Sequence, residues 1–326
     1  MPQTSFAWIS LLCGLAAVFT PPATAQDTAV GNPVHLMVGF PAGSNTDQAA
    51  RVLAEALRPR LGGRTVEITN RPGRSGNVAA ETVAEAAPDG ATLGLLSSSV
   101  AIARHVTKGL PFNPLTDFTP IGLFATVPFA ILVSPDHPAQ DLRQLAEALR
   151  ARPDTPCVTS GAGTVLHLST ALLMRALGTT CEAVHYSDPA QALADLRSGT
   201  IQLYINPVGT SLPAVRDGRA RELAVTSRKR LAAAPEIPTA AEAGAPGFEA
   251  EAWFALVGPR GLPEAMAAQF ERAAVEVVSN PEVAARLRAL GLEPAGAGAA
   301  ELAALLRTED VKWGEAARAA GLAVAN

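Results

Sequence analysis

The chain of 326 residues is poor in aromatic and charged side chains, which make up 5% and 17% of it. Its 26 Lys and Arg stand against 30 Asp and Glu, so the formal net charge is −4. No stretch resembles an acidic tail or a basic arm, and a nucleic-acid-binding protein normally carries a basic face. We therefore expect no nucleic-acid partner. Hydrophobic residues make up 48%, enough for a sizeable core and too many for a disordered chain.

The motifs of common enzymes and metal sites are also missing. There is no G-x-S-x-G elbow, no H-E-x-x-H, no C-x-x-C and no Walker loop. The five His are too scattered to show metal-ligand spacing. Gly161-Ala162-Gly163 resembles the start of a dinucleotide fingerprint but lacks the third glycine at the right place. The sequence thus predicts no catalytic residues, no metal and no cofactor.

Long apolar runs are absent after the N-terminus. Residues 6–19 are apolar and uncharged, but as a helix they span only about 21 Å, short of the roughly 30 Å hydrocarbon core of a bilayer. Two prolines follow, and residues 23–25 (Ala-Thr-Ala) are the small residues that a signal peptidase reads. We predict a signal peptide over residues 1–25 and export to the periplasm. No Lys or Arg precedes the apolar run, and an apolar first helix of the fold is the alternative.

Cysteine is scarce, and one of the three, Cys13, lies in the predicted signal peptide. Cys157 and Cys181 each begin a predicted strand, with a helix between them, so the two strands would be parallel neighbours. An even pair in an exported chain favours a disulfide between Cys157 and Cys181. Two buried free thiols are the alternative.

Strands and helices alternate along the chain in two blocks, a pattern typical of a parallel sheet with crossover helices. Between the blocks, residues 121–134 predict a long strand that breaks at Pro128, and residues 251–257 predict a second strand. The simplest organisation is one domain interrupted by another, with both strands crossing between them. The predicted boundaries are residues 26–127 plus 251–326 for the discontinuous first domain and residues 128–250 for the second.

Two predicted strand-to-helix junctions have similar compositions, namely residues 40–47 (FPAGSNTD) and 160–164 (SGAGT). Each contains Gly, Ala and hydroxyl residues, and neither contains Lys or Arg. A helix N-terminus carries about +0.5 charge and unpaired N–H donors, so two facing N-termini could clamp a carboxylate at the carboxyl ends of the strands. Ordinary turn and capping chemistry is the alternative, particularly for Asp47.

Further candidates border the same predicted cleft. A run of three serines at 97–99 follows a strand, His167 lies in the first turn after the second junction, and Tyr186 ends another strand. Packing or capping is the alternative role for His167. The predicted ligand-binding residues are Phe40, Ala42, Gly43, Ser44, Asp47, Ser97, Ser98, Ser160, Gly161, Gly163, Thr164, His167, Tyr186 and Asn206.

Several short motifs are spread over the predicted mature chain, among them F-P-A-G at 40–43, N-R-P-G at 70–73, A-P-D-G at 87–90, S-G-A-G-T at 160–164 and L-A-V-T-S at 223–227. Together they resemble the substrate-binding proteins of tripartite tricarboxylate transporters, the Bug or TctC family. The resemblance implies an α/β periplasmic binding protein of type II, in which two α/β domains joined by a two-strand hinge enclose a ligand cleft. It further implies a non-enzymatic protein that captures a small carboxylate and delivers it to the membrane subunits of a transporter.

The resemblance also implies that the loops at 40–47 and 160–164 hold the ligand carboxylate, partly through ordered water. The chain departs from the family pattern at Ser44, at Asp188 and at Asn206. The expected ligand is therefore a dicarboxylate, a monocarboxylate or an amino acid, and the expected state is a monomer. A periplasmic sensor module that feeds a membrane regulator is the alternative function.

Overall fold

The computed structural model describes residues 32–324. The predicted signal peptide, with Cys13 and the cleavage site before Gln26, lies outside the described residues. Within them the strands are β1 (Val34–Val38), β2 (Val66–Asn70), β3 (Thr92–Ser97), β4 (Phe118–Val133), β5 (Pro156–Thr159), β6 (Glu182–His185), β7 (Leu203–Pro207), β8 (Arg221–Val225), β9 (Glu251–Pro259) and β10 (Glu293–Ala297).

Helices follow most of these strands. They are α1 (Asn45–Leu57), α2 (Asn77–Ala84), α3 (Ser99–Val106), α4 (Leu142–Ala151), α5 (Val165–Leu177), α6 (Pro189–Ser198), α7 (Val208–Arg216), α8 (Glu264–Ser279), α9 (Pro281–Ala289) and α10 (Ala299–Ala319). Among the residues described, none of the helices combines the length and the apolarity needed to cross a bilayer.

The strands form one sheet in the order β2-β1-β3-β9-β4-β7-β5-β6, and β8 and β10 pair with β4 off this path. In the first half of the sheet, β1 is parallel to β2 and β3. In the second half, β5 is parallel to β6 and β7. Strand β4 belongs to both halves, because its first part pairs with β9 and its last residues pair with β7 and β8. In both halves, the chain runs from the carboxyl ends of the parallel strands into helix N-termini.

Strand β4 passes from one half to the other without interruption, so the predicted break at Pro128 is wrong. Proline has no N–H group to donate, but Pro128 still pairs with Glu251. The next residue secures the passage, because the Phe129 N–H donates to Thr226 Oγ1 at 3.0 Å and the Thr226 N–H donates to the Phe129 carbonyl at 2.9 Å. Strand β9 begins opposite Pro128 and pairs with β3 and with the first part of β4.

Side-chain caps fix where the two key helices begin. At α1, Ser44 Oγ accepts a hydrogen bond from the Asp47 N–H, and at α5, Thr164 Oγ1 accepts one from the His167 N–H, each at 3.3 Å. These are ordinary N-caps, which satisfy N–H groups that have no partner inside the helix. Both junctions thus start a helix as the sequence predicts.

A disulfide joins Cys157 and Cys181, whose Cα atoms are 6.0 Å apart. Cys157 is fully buried on β5, and Cys181 directly precedes β6. The two strands are parallel neighbours, with Pro156 opposite Glu182, as the sequence predicts. The bond therefore fastens the edge strand β6 to the interior of the second half of the sheet.

Candidate ligand-binding cleft

A cavity of about 590 Å³ lies at the carboxyl ends of the parallel strands, with lining residues from both halves of the sheet. This size is within the range of small-molecule sites. The polar residues that line it are Asn45, Thr46, Arg74, Ser75, Asn77, Ser97, Ser98, Ser99, Thr107, Ser160 and Thr164. Its apolar walls include Phe40, Ile102, Ala103, Val106, Val127, Phe129, Ala162, Val165, Leu166, Ala252, Phe254 and Leu322.

Five helix N-termini converge on this cavity. Among the described residues, each of the five helices contributes to the lining either its N-cap or its first residue, and three of them contribute two or more residues from the start of the helix. These are Asn45 and Thr46 of α1, Asn77 of α2, Ser98 and Ser99 at α3, Thr164, Val165 and Leu166 at α5, and Pro207 at α7. Because each N-terminus carries partial positive charge and unpaired N–H donors, the cavity favours an anion.

The side-chain charge in the cavity is positive, like the partial charge of the helix N-termini. Among the described lining residues, Arg74 is the only one with a charged side chain, and none is acidic. Arg74 forms an ion pair with Glu81 on α2, which offsets part of its charge. The helix N-termini therefore supply most of the positive potential, while Phe40, Phe129 and Phe254 offer apolar surface to a carbon skeleton.

In the loop at 40–47, the side chain of Asp47 stabilises the loop itself. Its carboxylate is fully buried and accepts hydrogen bonds from the Gly43 N–H at 2.9 Å, from Arg51 Nε at 2.8 Å and from Asn70 Nδ2 at 3.0 Å. Burial opposes ionisation of this carboxyl, but these hydrogen bonds and the Arg51 charge outweigh it and lower the pKa of Asp47. Asp47 does not line the cavity, and the residues exposed there from this loop are Phe40, Asn45 and Thr46.

The second loop is closed by its own hydroxyl groups. Thr164 Oγ1 donates to the Gly161 carbonyl at 2.8 Å and accepts from Ser160 Oγ at 3.1 Å. The Gly163 N–H donates to His167 Nδ1 at 3.3 Å, so the His167 side chain stabilises the loop. Burial and the nearby His185, whose ring centroid is 5.3 Å away, lower the pKa of His167 and favour the neutral form that accepts this bond.

The structure brings some of the predicted ligand-binding residues together in the cavity. Those that line it are Phe40, Ser97, Ser98, Ser160, Gly163 and Thr164. Those that do not line it are Ala42, Gly43, Ser44, Asp47, Gly161, His167, Tyr186 and Asn206. Most of the second group lie in the same two loops, where they cap or brace the backbone that the first group presents.

Tyr186, Asp188 and Asn206 are engaged elsewhere. The Tyr186 hydroxyl donates to Asp195 at 2.7 Å, and Asp188 caps α6 by accepting from the Ala190 N–H at 2.8 Å. Asn206 is buried, and its Nδ2 donates to the hydroxyls of the following turn. The departures from the family pattern at 188 and 206 therefore lie outside the cavity lining.

The lining residues that sequence reasoning missed include Arg74, Ser75 and Asn77 of the segment 74–77. It follows the N-R-P-G motif at 70–73, which carried the resemblance but not a ligand-contact prediction. Within residues 32–324, no group of three or more His, Cys, Asp and Glu side chains is arranged to hold a metal ion.

Comparison with known proteins places this fold and cavity in a family. The family model described as "Tripartite tricarboxylate transporter family receptor" matches residues 49–322. The protein BugT of Bordetella pertussis is 30% identical over 318 residues, which cover 97% of each chain.

Two solved structures from Rhodopseudomonas palustris share the fold. Rpa4515 with adipate has a TM-score of 0.75 and 33% identity, over 90% of this chain and 98% of its own. MatC with bound malate has a TM-score of 0.71 and 31% identity, over 88% of this chain and 99% of its own. The predicted fold class, two α/β domains of the periplasmic binding-protein type, is confirmed. The chain belongs to the Bug or TctC family of periplasmic solute-binding proteins.

Proposed function

We propose that this protein captures a small carboxylate in the cavity formed by the five helix N-termini. The observation that carries the proposal is the convergence of those N-termini on a cavity whose described lining has no acidic side chain. Hydrogen bonds to a charged group contribute roughly 1.5–3 kcal/mol each. Four or five of them could outweigh desolvation and give micromolar affinity, about −8 kcal/mol.

The proposed setting is the periplasm, with a monomer delivering its ligand to the membrane subunits of a tripartite tricarboxylate-type transporter. Family membership and the predicted signal peptide support this setting. The cleft would lie between domains at 26–127 plus 251–326 and at 128–250, as the passage of β4 between the sheet halves suggests. Capture and release would need no catalytic group and no cofactor.

The ligands named for the two relatives guide the choice of ligand class. Adipate and malate are both dicarboxylates, and they differ in chain length and in the hydroxyl group of malate. The apolar walls of this cavity suit the carbon skeleton of such a molecule or of a larger monocarboxylate. We propose a mono- or dicarboxylate as the ligand class.

A thermal-shift screen of the purified protein against mono-, di- and tricarboxylates and amino acids tests the proposal. A ligand at 100 times its dissociation constant adds about 2.7 kcal/mol, which raises the melting temperature by a few degrees. The variant Ser160→Asp puts a carboxylate in the cavity beside the α5 N-terminus. We expect it to weaken binding of every carboxylate hit at least 100-fold.

The matched control is Ser187→Asp, the same change of charge at an exposed serine of the second half that does not line the cavity. It should bind the hits as the unmodified protein does. Absence of any carboxylate among the hits, or equal loss of binding in both variants, would contradict the proposed function.

A further inference from the structure

The segment that joins β2 to α2 has an unusual backbone. Four successive residues have positive φ, namely Gly73 at 138°, Arg74 at 47°, Ser75 at 56° and Gly76 at 93°. Side-chain-bearing residues rarely adopt this conformation. The surrounding structure holds it in place, because Gly76 packs directly on the backbone of Gly39 at the end of β1 and on the ring of Phe40. The segment at 73–76 is thus held against the start of the loop at 40–47.

This backbone sets the position of Asn77, the first residue of α2. Asn77 is only 4% exposed and lines the cavity together with Arg74 and Ser75. Its Nδ2 donates to the Arg74 carbonyl at 2.7 Å, which fixes the orientation of the amide. Its Oδ1 is buried and has no hydrogen-bond partner.

An unpaired buried acceptor is unfavourable, and native proteins contain few of them. The missing partner of Asn77 Oδ1 must be a donor, either O–H or N–H. An ionised carboxylate only accepts hydrogen bonds, so a second carboxylate on the ligand cannot fill this role. A hydroxyl or ammonium group on the ligand can.

We propose that Asn77 determines ligand specificity, and that its Oδ1 accepts a hydrogen bond from a hydroxyl or ammonium group of the bound carboxylate. The ligand class is then a hydroxycarboxylate or an aminocarboxylate rather than a plain carboxylate. This inference rests on the proposed function, because it assumes that the cavity receives a carboxylate.

Calorimetric titration with pairs of acids that differ by one hydroxyl tests the inference. Suitable pairs are malate and succinate, lactate and propionate, and mandelate and phenylacetate. A site whose buried acceptor loses its partner discriminates against the analogue that lacks the donor. We expect the hydroxy acid to bind at least tenfold more tightly within any pair that binds.

Substitution of the acceptor should remove this preference. In Asn77→Leu and Asn77→Ala, we expect the two members of a pair to bind within threefold of each other. The matched control is Ser169→Ala, which removes another buried oxygen without a partner, on α5 and outside the cavity lining. This control should keep the tenfold preference.

The outcomes separate the two proposals. Binding of both members of a pair with equal affinity by the unmodified protein overturns the assignment to Asn77 and leaves carboxylate capture standing. A preference that persists in both Asn77 variants also overturns it. If no member of any pair binds and the thermal-shift screen finds no other carboxylate, the proposed capture of carboxylates fails and the role of Asn77 fails with it.

Discussion

At the scale of single residues, Glu222 on β8 is the carboxyl group in the least favourable surroundings. Both of its carboxyl oxygens are buried without a hydrogen-bond partner. Burial, with a smaller contribution from the negative charge of Glu236, raises the pKa of Glu222 to about 8. At neutral pH the folded protein therefore keeps this side chain mostly protonated.

The raised pKa predicts how stability depends on pH. The pKa of Glu222 is 4.5 as the ordinary value and about 8 in the folded state. Its contribution to the free energy of unfolding is therefore fully present below pH 4.5 and is lost as pH rises to 8. A glutamine at this position cannot ionise. The free energy of unfolding of Glu222→Gln, relative to that of the unmodified protein, should therefore rise by at least about 1 kcal/mol between pH 5 and pH 8. Urea denaturation at the two pH values measures this. A constant difference between variant and unmodified protein would contradict the prediction.

Single residues also show what the sequence can and cannot reveal about the site. Ser97, Ser98, Ser160 and Thr164 were predicted because hydroxyl residues at the ends of strands mark helix starts, and they line the cavity. Asp47 has the same local signature. Its role as a brace depends on Asn70, which lies 23 positions away on the neighbouring strand. A pattern within one loop carries no information about such a partner.

At the scale of elements, the strand-to-helix junctions were predictable and two other elements were not. The sequence predicts no helix at the position of α3, although the serines at 97–99 are candidate site residues. Strand β10 consists of Glu, Pro, Ala, Gly and Ala, which have low strand propensity. It forms because it pairs antiparallel with β4, with an irregular register between Pro294 and Ala297. Pairing over such a distance in sequence overrides local preference.

The contact between Gly39 and Gly76 joins two ligand-cavity segments and gives a prediction at this scale. A Cβ atom on residue 39 would lie 2.5 Å from the Gly76 Cα and 2.7 Å from its carbonyl oxygen. These are backbone atoms, so the loop at 73–76 must move. We expect Gly39→Ala to lower the free energy of unfolding by about 1–3 kcal/mol and to weaken carboxylate binding at least tenfold.

The control for this prediction is Gly62→Ala, in the turn after α1. There a Cβ meets nothing within 4 Å, and only the positive φ of 63° opposes the change. It should cost about 1 kcal/mol of stability and leave ligand affinity unchanged. Unaltered binding by Gly39→Ala, measured by calorimetry beside this control, would show that the contact does not shape the cavity.

At the scale of the whole molecule, α5 ties the two halves of the sheet together. It follows β5 in the second half, yet its Leu168 is buried in the same cluster as Trp313 of α10. Arg175 of α5 also forms an ion pair with Glu315 of α10 at 2.9 Å. Packing of α5 against α10 therefore fixes the position of the α5 N-terminus, which lines the cavity.

The overall architecture could be predicted because alternating strands and helices, with motifs in a fixed order, restrict the possible folds. The position of β9 in the sheet could not. Its apolar run, residues 251–257, indicates a strand but does not say which strands lie beside it, and its pairing with β3 and the first part of β4 is set by contacts far away in sequence.

The most direct test of the central claim compares a carboxylate with its neutral amide in the unmodified protein. Calorimetric titrations of each carboxylate found in the thermal-shift screen against its amide keep size and shape nearly constant while removing the negative charge. If helix N-termini hold the ligand through its charge, the acid binds with a dissociation constant in the micromolar range, and its amide binds at least 100-fold more weakly. Equal affinity for acid and amide would contradict capture through charge.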